Sequence, residues 1–243
     1  EQGNLTDELS DRLQKAATLT ELEDLYRPFR PKRRTRATVA REKGLEPLAL
    51  ALLMQNETKG TAQELARPYV NPEKGVETAE DALQGARDIL AEQMSDDADV
   101  RKSLRALAMR TGVLESKNTG EEDSVYATYY DFSQEARNLP AHRVLAMNRG
   151  EREGFLKVSL RLSDAACVDV LEKAFVRPGS VTTEQVALAA QDAWDRLLQP
   201  SIEREIRADL TERASASAIQ VFGKNLHQLL MAPPVKGLSL IHI

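Results

Sequence analysis

After Pro200 the chain carries one apolar line in steps of four: Ile202, Ile206, Leu210, Ala214, Ala218, Phe222, Leu226 and Leu230. That period fits one face of an α-helix and no strand. About 30 residues rising ~1.5 Å each predict a rod of ~45 Å. Pro200 suits the first turn of such a helix, and Pro233 and Pro234 stop it. A helix of this length cannot belong to a small sheet-dominated fold. It needs other elements to cover its apolar face.

The remaining sequence predicts those elements as helices too. Thr6 or Asp7 caps a first helix over 7–17, and Thr20 opens a second with Glu23 as capping-box partner. Leu22, Leu25, Tyr26 and Phe29 form the apolar face of the second, and Pro28 and Pro31 break it. Thr35–Lys43 and Leu45–Gln55 are two short helices joined at Gly44, a plausible left-handed stop. Together they make a helix-turn-helix-like outline behind a basic stretch. Helices follow over 78–94, capped by Ser95 and Asp96 into 97–111, then over 141–148, from Ser163 or Asp164 to Val176, and over 183–198. Residues 155–162 alternate apolar and polar side chains, a two-residue period that predicts the one minor β segment, with Val113–Lys117 as its partner. The fold class is mainly α: an irregular multi-helix assembly with a long C-terminal helix. Organisation is expected as a helical region over 1–68, a central helical region over 69–237, and a tail over 238–243.

Catalytic and metal chemistry is not expected. His142, His227 and His242 lie far apart, and Cys167 is the single cysteine, so no metal-ligand spacing and no disulfide framework exists. Phosphate-binding loops, nucleophile elbows and kinase signatures are absent, and Gly150 with Gly154 does not make a dinucleotide fingerprint. No cofactor is expected, and no apolar run is long enough to span a bilayer. Without a signal peptide, the expected compartment is the cytoplasm. Tyr126, Tyr129, Tyr130 and Phe132 read as core rather than as a base-stacking surface, because stacking needs exposed ring faces.

The charge is unevenly spread. The chain has a net charge of −5. Between Tyr26 and Gly44 eight cations (Arg27, Arg30, Lys32, Arg33, Arg34, Arg36, Arg41, Lys43) face only Glu42, which makes the window +7 and the rest −12. Such a patch attracts a polyanion while the acidic remainder limits non-specific sticking. The alternative is a solvated loop that pairs with acidic helices nearby. The candidate nucleic-acid-binding residues are Arg27, Arg30, Lys32, Arg33, Arg34, Arg36 and Arg41, joined by Arg143 and Arg149, with His142 and Arg152 beside them. Their expected role is contact with the phosphate backbone of RNA or DNA, which positions a strand without reading its sequence.

The run from Leu22 to Leu48, LEDLYRPFRPKRRTRATVAREKGLEPL, resembles the Tex family of bacterial transcription accessory proteins. The likeness continues through YVNPEKG (69–75), ALQGARDIL (82–90), PAHRVLAMNRG (140–150), EGFLKVSL (153–160), PSIEREI (200–206) and NLHQLLMAPPVKG (225–237). The resemblance implies a multidomain nucleic-acid-binding protein with roles in transcription and RNA metabolism. It implies a helical N-terminal region with a helix-turn-helix element, then an RNase H-like domain, a helix-hairpin-helix module and an OB-fold RNA-binding domain. On this reading the chain covers the helical N-terminal and central region, and stops before the RNase H-like domain. Residues 239–243 depart from the family pattern and are expected to be non-native. Two functions are open: a helical scaffold whose basic patch contacts phosphates, or a protein-interaction scaffold that orients the other domains, with transcription machinery as a possible partner. An enzyme is not expected.

Overall fold

The computed structural model of the chain describes residues 6–30, 33–120 and 124–232. In chain order the helices are α1 (Asp7–Lys15), α2 (Leu19–Tyr26), α3 (Arg36–Glu42), α4 (Glu46–Met54), α5 (Ala62–Ala66), α6 (Ala79–Asp96), α7 (Ala98–Thr111), α8 (Ala141–Arg152), α9 (Asp164–Phe175), α10 (Thr183–Asp192) and α11 (Gln199–Leu230). Three strands are interposed: β1 (Val113–Asn118), β2 (Asp131–Glu135) and β3 (Leu156–Arg161). The chain is therefore mainly α, with a small sheet and a long last helix. It divides into two compact units, Glu1–Gly112 with Leu162–Glu205, and Val113–Arg161 with Ile206–Ile243.

The first unit is organised around α6. Thr78 and Asp81 close a capping box at its start, and Ala82, Leu83, Ala86, Ile89, Leu90 and Met94 are buried along it. Each fully buried Leu or Ile contributes about 1.5–3 kcal/mol of transfer free energy. Helices α3, α4, α5 and α10 pack on it. Gly85 sets how near α3 and α4 come, since a Cβ there would stand 2.3 Å from Leu45 Cδ1 and 3.4 Å from Ala40 Cβ. Gly44 turns the chain between those two helices at φ +85°, a region open to glycine at little cost. Its neighbour Leu45 returns an N–H to the Ala40 carbonyl at 3.1 Å and closes the helix end.

A polar cluster ties α2, α7 and the first turns of α11. Arg101 is 1% exposed, yet every face of its guanidinium is used. It donates to Asp24 at 3.0 Å, to the Ser95 carbonyl at 3.1 Å, to Ser201 at 2.9 Å, and to Glu205. Arg105 bridges the same two carboxylates, Asp24 and, at 3.1 Å, Glu205. Two cations against two anions leave no unpaired buried charge, the condition under which such burial is tolerated.

Helix boundaries differ from expectation at two caps. Thr18, not Thr20, caps α2, and the Glu21 carboxylate accepts the Ala17 N–H at 3.0 Å. Thr18–Glu21 and Thr20–Glu23 are overlapping frames of one capping motif. The earlier frame wins because Lys102 also holds Glu21, at 2.8 Å. Helix α6 runs on to Asp96, and Asp97 caps α7 through the N–H groups of Asp99 and Val100. Ser95 instead turns its hydroxyl back onto the Glu92 carbonyl. Between α10 and α11, Ala193–Leu198 forms a π-helical segment holding buried Trp194, whose indole N–H donates to Asp164 at 2.9 Å. The widening precedes Pro200, whose ring crowds the carbonyl four residues back and offers it no N–H.

In the second unit β1 pairs antiparallel with both β2 and β3. The pairing of Val113–Lys117 with the 155–162 segment is as expected. Strand β2 was not expected, because DFSQE carries one large apolar side chain and no clear alternation. The outer edge of β3 is covered by side chains: Val158 N–H donates to Glu151, and Val158 O accepts from Arg207, which pairs with Glu151. Such cover blunts an edge strand. Gly150 lets α8 approach, since a Cβ there would meet Leu156 Cδ1 at 2.6 Å and Tyr126 at 3.1 Å.

The apolar line of α11 splits. Ile202, Ile206, Leu210 and Ala214 are buried, whereas Phe222 and Leu230 are 68% and 75% exposed. The expectations for Lys32, for Pro233 and Pro234 as helix stops, and for the 238–243 tail lie outside the described residues.

Candidate nucleic-acid interface

The basic stretch unfolds along three elements. Arg27 follows α2 in a 3₁₀ turn (Arg27–Phe29), Arg33 and Arg34 lie in the irregular segment before α3 with Arg34 at a bend, and Arg36 and Arg41 ride on α3. Thr35 fixes where α3 begins: its hydroxyl accepts the Thr38 N–H at 3.0 Å and lies 3.0 Å from a Glu92 carboxylate oxygen.

The arginines fall into two sets. Arg27, Arg34 and Arg41 are already paired. Arg41 donates to Glu92 at 2.7 Å and stands 3.9 Å from Glu46. Arg27 lies 3.5 Å from Asp96, and burial together with the nearby Arg101 charge pushes its pKa down. Arg34 meets exposed Glu42 at 3.0 Å. Arg30, Arg33 and Arg36 are exposed and hold no ion pair among the described residues. Lys43 spends its ammonium on a neutral acceptor, the Gly75 carbonyl at 2.8 Å.

The acids that pin Arg27 and Arg41 are those of a nearby acidic helix, as the alternative for this stretch expects, although the local charge count opposes it with Glu42 alone. They come from α6, where Asp88, Glu92 and Asp96 are spaced by four and share one face. That spacing is legible in sequence, although its pairing with α3 is not. Asp88 has its pKa raised by burial, against the attraction of Arg196 and Arg36.

The two arginines proposed from the later sequence belong to the second unit. Arg143 donates to Gln134 at 2.7 Å and lies 5.5 Å over the Phe132 ring, a cation–π contact. Arg149 is held by Glu153 at 2.8 Å, and that hydrogen bond raises its pKa. His142 and Arg152 are exposed. Tyr126 is buried, and Tyr129, Tyr130 and Phe132 are half-buried, with Tyr129 edge-on to Phe132 at 5.6 Å. The open face of the sheet shows Glu115, Lys117, Asp131, Lys157 and Arg161, without a ring.

Among the described residues no three His, Cys, Asp or Glu side chains gather as a metal site, and no helix is long and apolar enough to cross a membrane. Burial pushes the Cys167 thiol up to about 11, so it stays protonated at neutral pH.

Comparison with known proteins places these features in a family. Residues 57–222 match the family model described as Tex central region-like. The chain is 40% identical to the uncharacterized protein YdcI of Bacillus subtilis, over 100% of this chain and 34% of that protein. It is 39% identical to Protein tex of Bordetella pertussis, over 96% of this chain and 32% of that protein. It is 32% identical to the human S1 RNA-binding domain-containing protein 1, over 100% of this chain and 26% of that protein. The chain thus spans between a quarter and about a third of the length of these relatives.

Proposed function

The chain belongs to the Tex family of transcription accessory proteins, and from that premise we propose that its first unit contacts the phosphate backbone of a nucleic acid. The observation that carries this reading is the division among the arginines. The acidic face of α6 holds Arg27 and Arg41 in place, and Arg30, Arg33 and Arg36 are left exposed with no ion pair among the described residues, although Arg36 feels the attraction of Asp88. The first two build the surface, and the last three, with Arg34 and Lys32, offer guanidinium and ammonium groups to phosphate oxygens. The α3–α4 pair would serve as the helix-turn-helix-like element, with Arg36 at its leading edge. A human relative named for an S1 RNA-binding domain is in keeping with work on RNA. No catalytic step is assigned, and the expected setting is the cytoplasm.

The test is a gel shift across a salt series. Binding to duplex should weaken with a slope of about −0.9 per phosphate contacted. Changing Arg30, Arg33 and Arg36 to Glu should abolish the shift while helicity is kept. An unchanged shift would place the site elsewhere.

A second reading has its own support. The far half of α11 presents Ile219, Phe222, Leu226 and Leu229, all exposed, in the 3-4-3 spacing of a helix seam. A lone helical segment of this length is marginal in water. We propose that this seam packs on a further part of the longer Tex polypeptide, so that α11 orients neighbouring domains. Such a scaffold role is compatible with phosphate contact through the first unit.

A further inference from the structure

The two edges of the small sheet differ. Asn118 N–H donates to the Tyr130 carbonyl at 3.0 Å, which makes these two residues a hydrogen-bonded pair of the antiparallel ladder. Such ladders alternate. Along the register, Phe132 and Gln134 therefore bond to Ser116 and Leu114, and the N–H and C=O groups of Asp131, Ser133 and Glu135 point away from β1. On the far side the Thr119 N–H bond to the Phe155 carbonyl sets the same alternation and turns Val158 outward. There Glu151 and Arg207 occupy both backbone groups. On β2 the outward backbone groups of Asp131, Ser133 and Glu135 hold no hydrogen bond among the described residues, and all three residues are exposed.

The register also sorts the side chains. Asp131, Ser133 and Glu135 lie on the open face, and Phe132 and Gln134 on the other. Asp131 has no ion pair among the described residues, although Lys117 is its register partner on β1. Glu135 meets Arg137 at 2.9 Å, an exposed pair that water screens. A row of unmet N–H and C=O groups is the template with which an extended segment pairs. A second copy fits it badly. A two-fold antiparallel pairing about Ser133 would set Asp131 opposite the partner's Glu135 at both ends, and like charges directly opposite repel. The same acids select a basic strand. We infer that β2 is a docking edge for an extended segment of another protein, with Lys or Arg opposite both Glu135 and Asp131. In antiparallel pairing those cations stand four residues apart. The residue between them faces Ser133 and suits Thr or Ser. The one beside half-buried Phe132, on the other face, is apolar.

The probe is a fluorescein-labelled peptide, Gly-Gly-Lys-Gln-Thr-Val-Lys-Gly-Gly, titrated with the full chain and read by anisotropy. Its counterpart with Glu in place of both Lys residues should bind more weakly. Ser133→Pro removes one outward N–H and no bond to β1, so it should weaken the basic peptide about tenfold or more. The exposed pair D131K/E135K leaves the backbone untouched and should reverse the preference, with the acidic peptide now the tighter. Circular dichroism and thermal melting check the fold of each variant, and the charge swap is decisive if Ser133→Pro fails to fold. No binding of the basic peptide by the wild type, equal binding of the acidic one, or binding unmoved by the variants would overturn the docking edge. Self-association of the wild type that Ser133→Pro abolishes, seen by sedimentation, would overturn it in favour of a second copy.

Discussion

The guanidinium of Arg41 lies 2.7 Å from the carboxylate of Glu92, fifty-one residues along the chain, and this pair fastens α3 to α6. It removes from the phosphate-contact set an arginine that sequence alone places in it. Arg41→Ala should therefore cost stability, about 1–3 kcal/mol, because Glu92 is left with less of its counter-charge in a nearly buried position. The same change should leave nucleic-acid affinity within about twofold once the protein is folded. Urea titration beside an anisotropy titration measures both. A large loss of affinity with unchanged stability would return Arg41 to the binding surface.

The buried cluster gives a pH dependence. Burial raises the Glu205 pKa, but the Arg101 and Arg105 charges and the Ser201 hydrogen bond together outweigh it, and the carboxyl ends below its usual value. A carboxyl with a depressed folded pKa stabilises the fold above its unfolded pKa, about 4.3. That contribution is lost as pH falls through the lower folded value. Thermal unfolding between pH 7 and pH 3 should therefore show a steeper acid loss in the wild type than in Glu205→Gln, which carries no titrating group at that position.

Arg101→Met tests the same cluster from the other side. It leaves Asp24 and Glu205 with Arg105 alone, in a site where Arg101 is 1% exposed. Removing one member of such a network costs roughly 3–5 kcal/mol, read as a fall in the urea midpoint. A shift under about 1 kcal/mol would show that the site relaxes or admits water.

Gly85→Ala should displace the α3–α4 pair. The added Cβ would fall 2.3 Å from Leu45 Cδ1, and Leu45 is 1% exposed. Overpacking of this kind costs about 1–3 kcal/mol. Adding Leu45→Ala should relieve the clash, so the two changes should be non-additive in a double-mutant cycle.

The exposed end of α11 makes the opposite prediction. Phe222→Glu with Leu226→Glu should leave the melting of this chain nearly unchanged, within about 0.5 kcal/mol, since both side chains are exposed. In a longer Tex polypeptide the same pair should destabilise or loosen the molecule, read by limited proteolysis. No effect there would remove the support for the scaffold reading.

Much of this architecture is legible from periodicity and capping chemistry. The steps of four after Pro200 locate α11, and the two-residue period at 156–161 locates β3 together with its β1 partner. What periodicity cannot show is which apolar face finds a neighbour. The α11 line and the α2 face both read as core, yet Phe222, Leu226, Tyr26 and Phe29 remain exposed to differing degrees, because burial depends on what is packed opposite. Strand β2 escaped because its place comes from hydrogen bonds to β1 rather than from its own DFSQE pattern. In the basic stretch, composition marks all the cations alike. The division between Arg41 and Arg36 arises only when Glu92 arrives from α6.

Phosphate contact is assigned to the exposed Arg30, Arg33 and Arg36, and not to Arg27 and Arg41, which the α6 carboxylates hold. The direct measurement is the salt dependence of binding to a single-stranded oligonucleotide, compared between the wild type and the R30E/R33E/R36E variant. The account predicts a linear loss of log affinity with log salt in the wild type, with a slope near −0.7 per contact, and little or no measurable binding by the variant at unchanged helicity. Equal affinity and equal slope in the two proteins would contradict it.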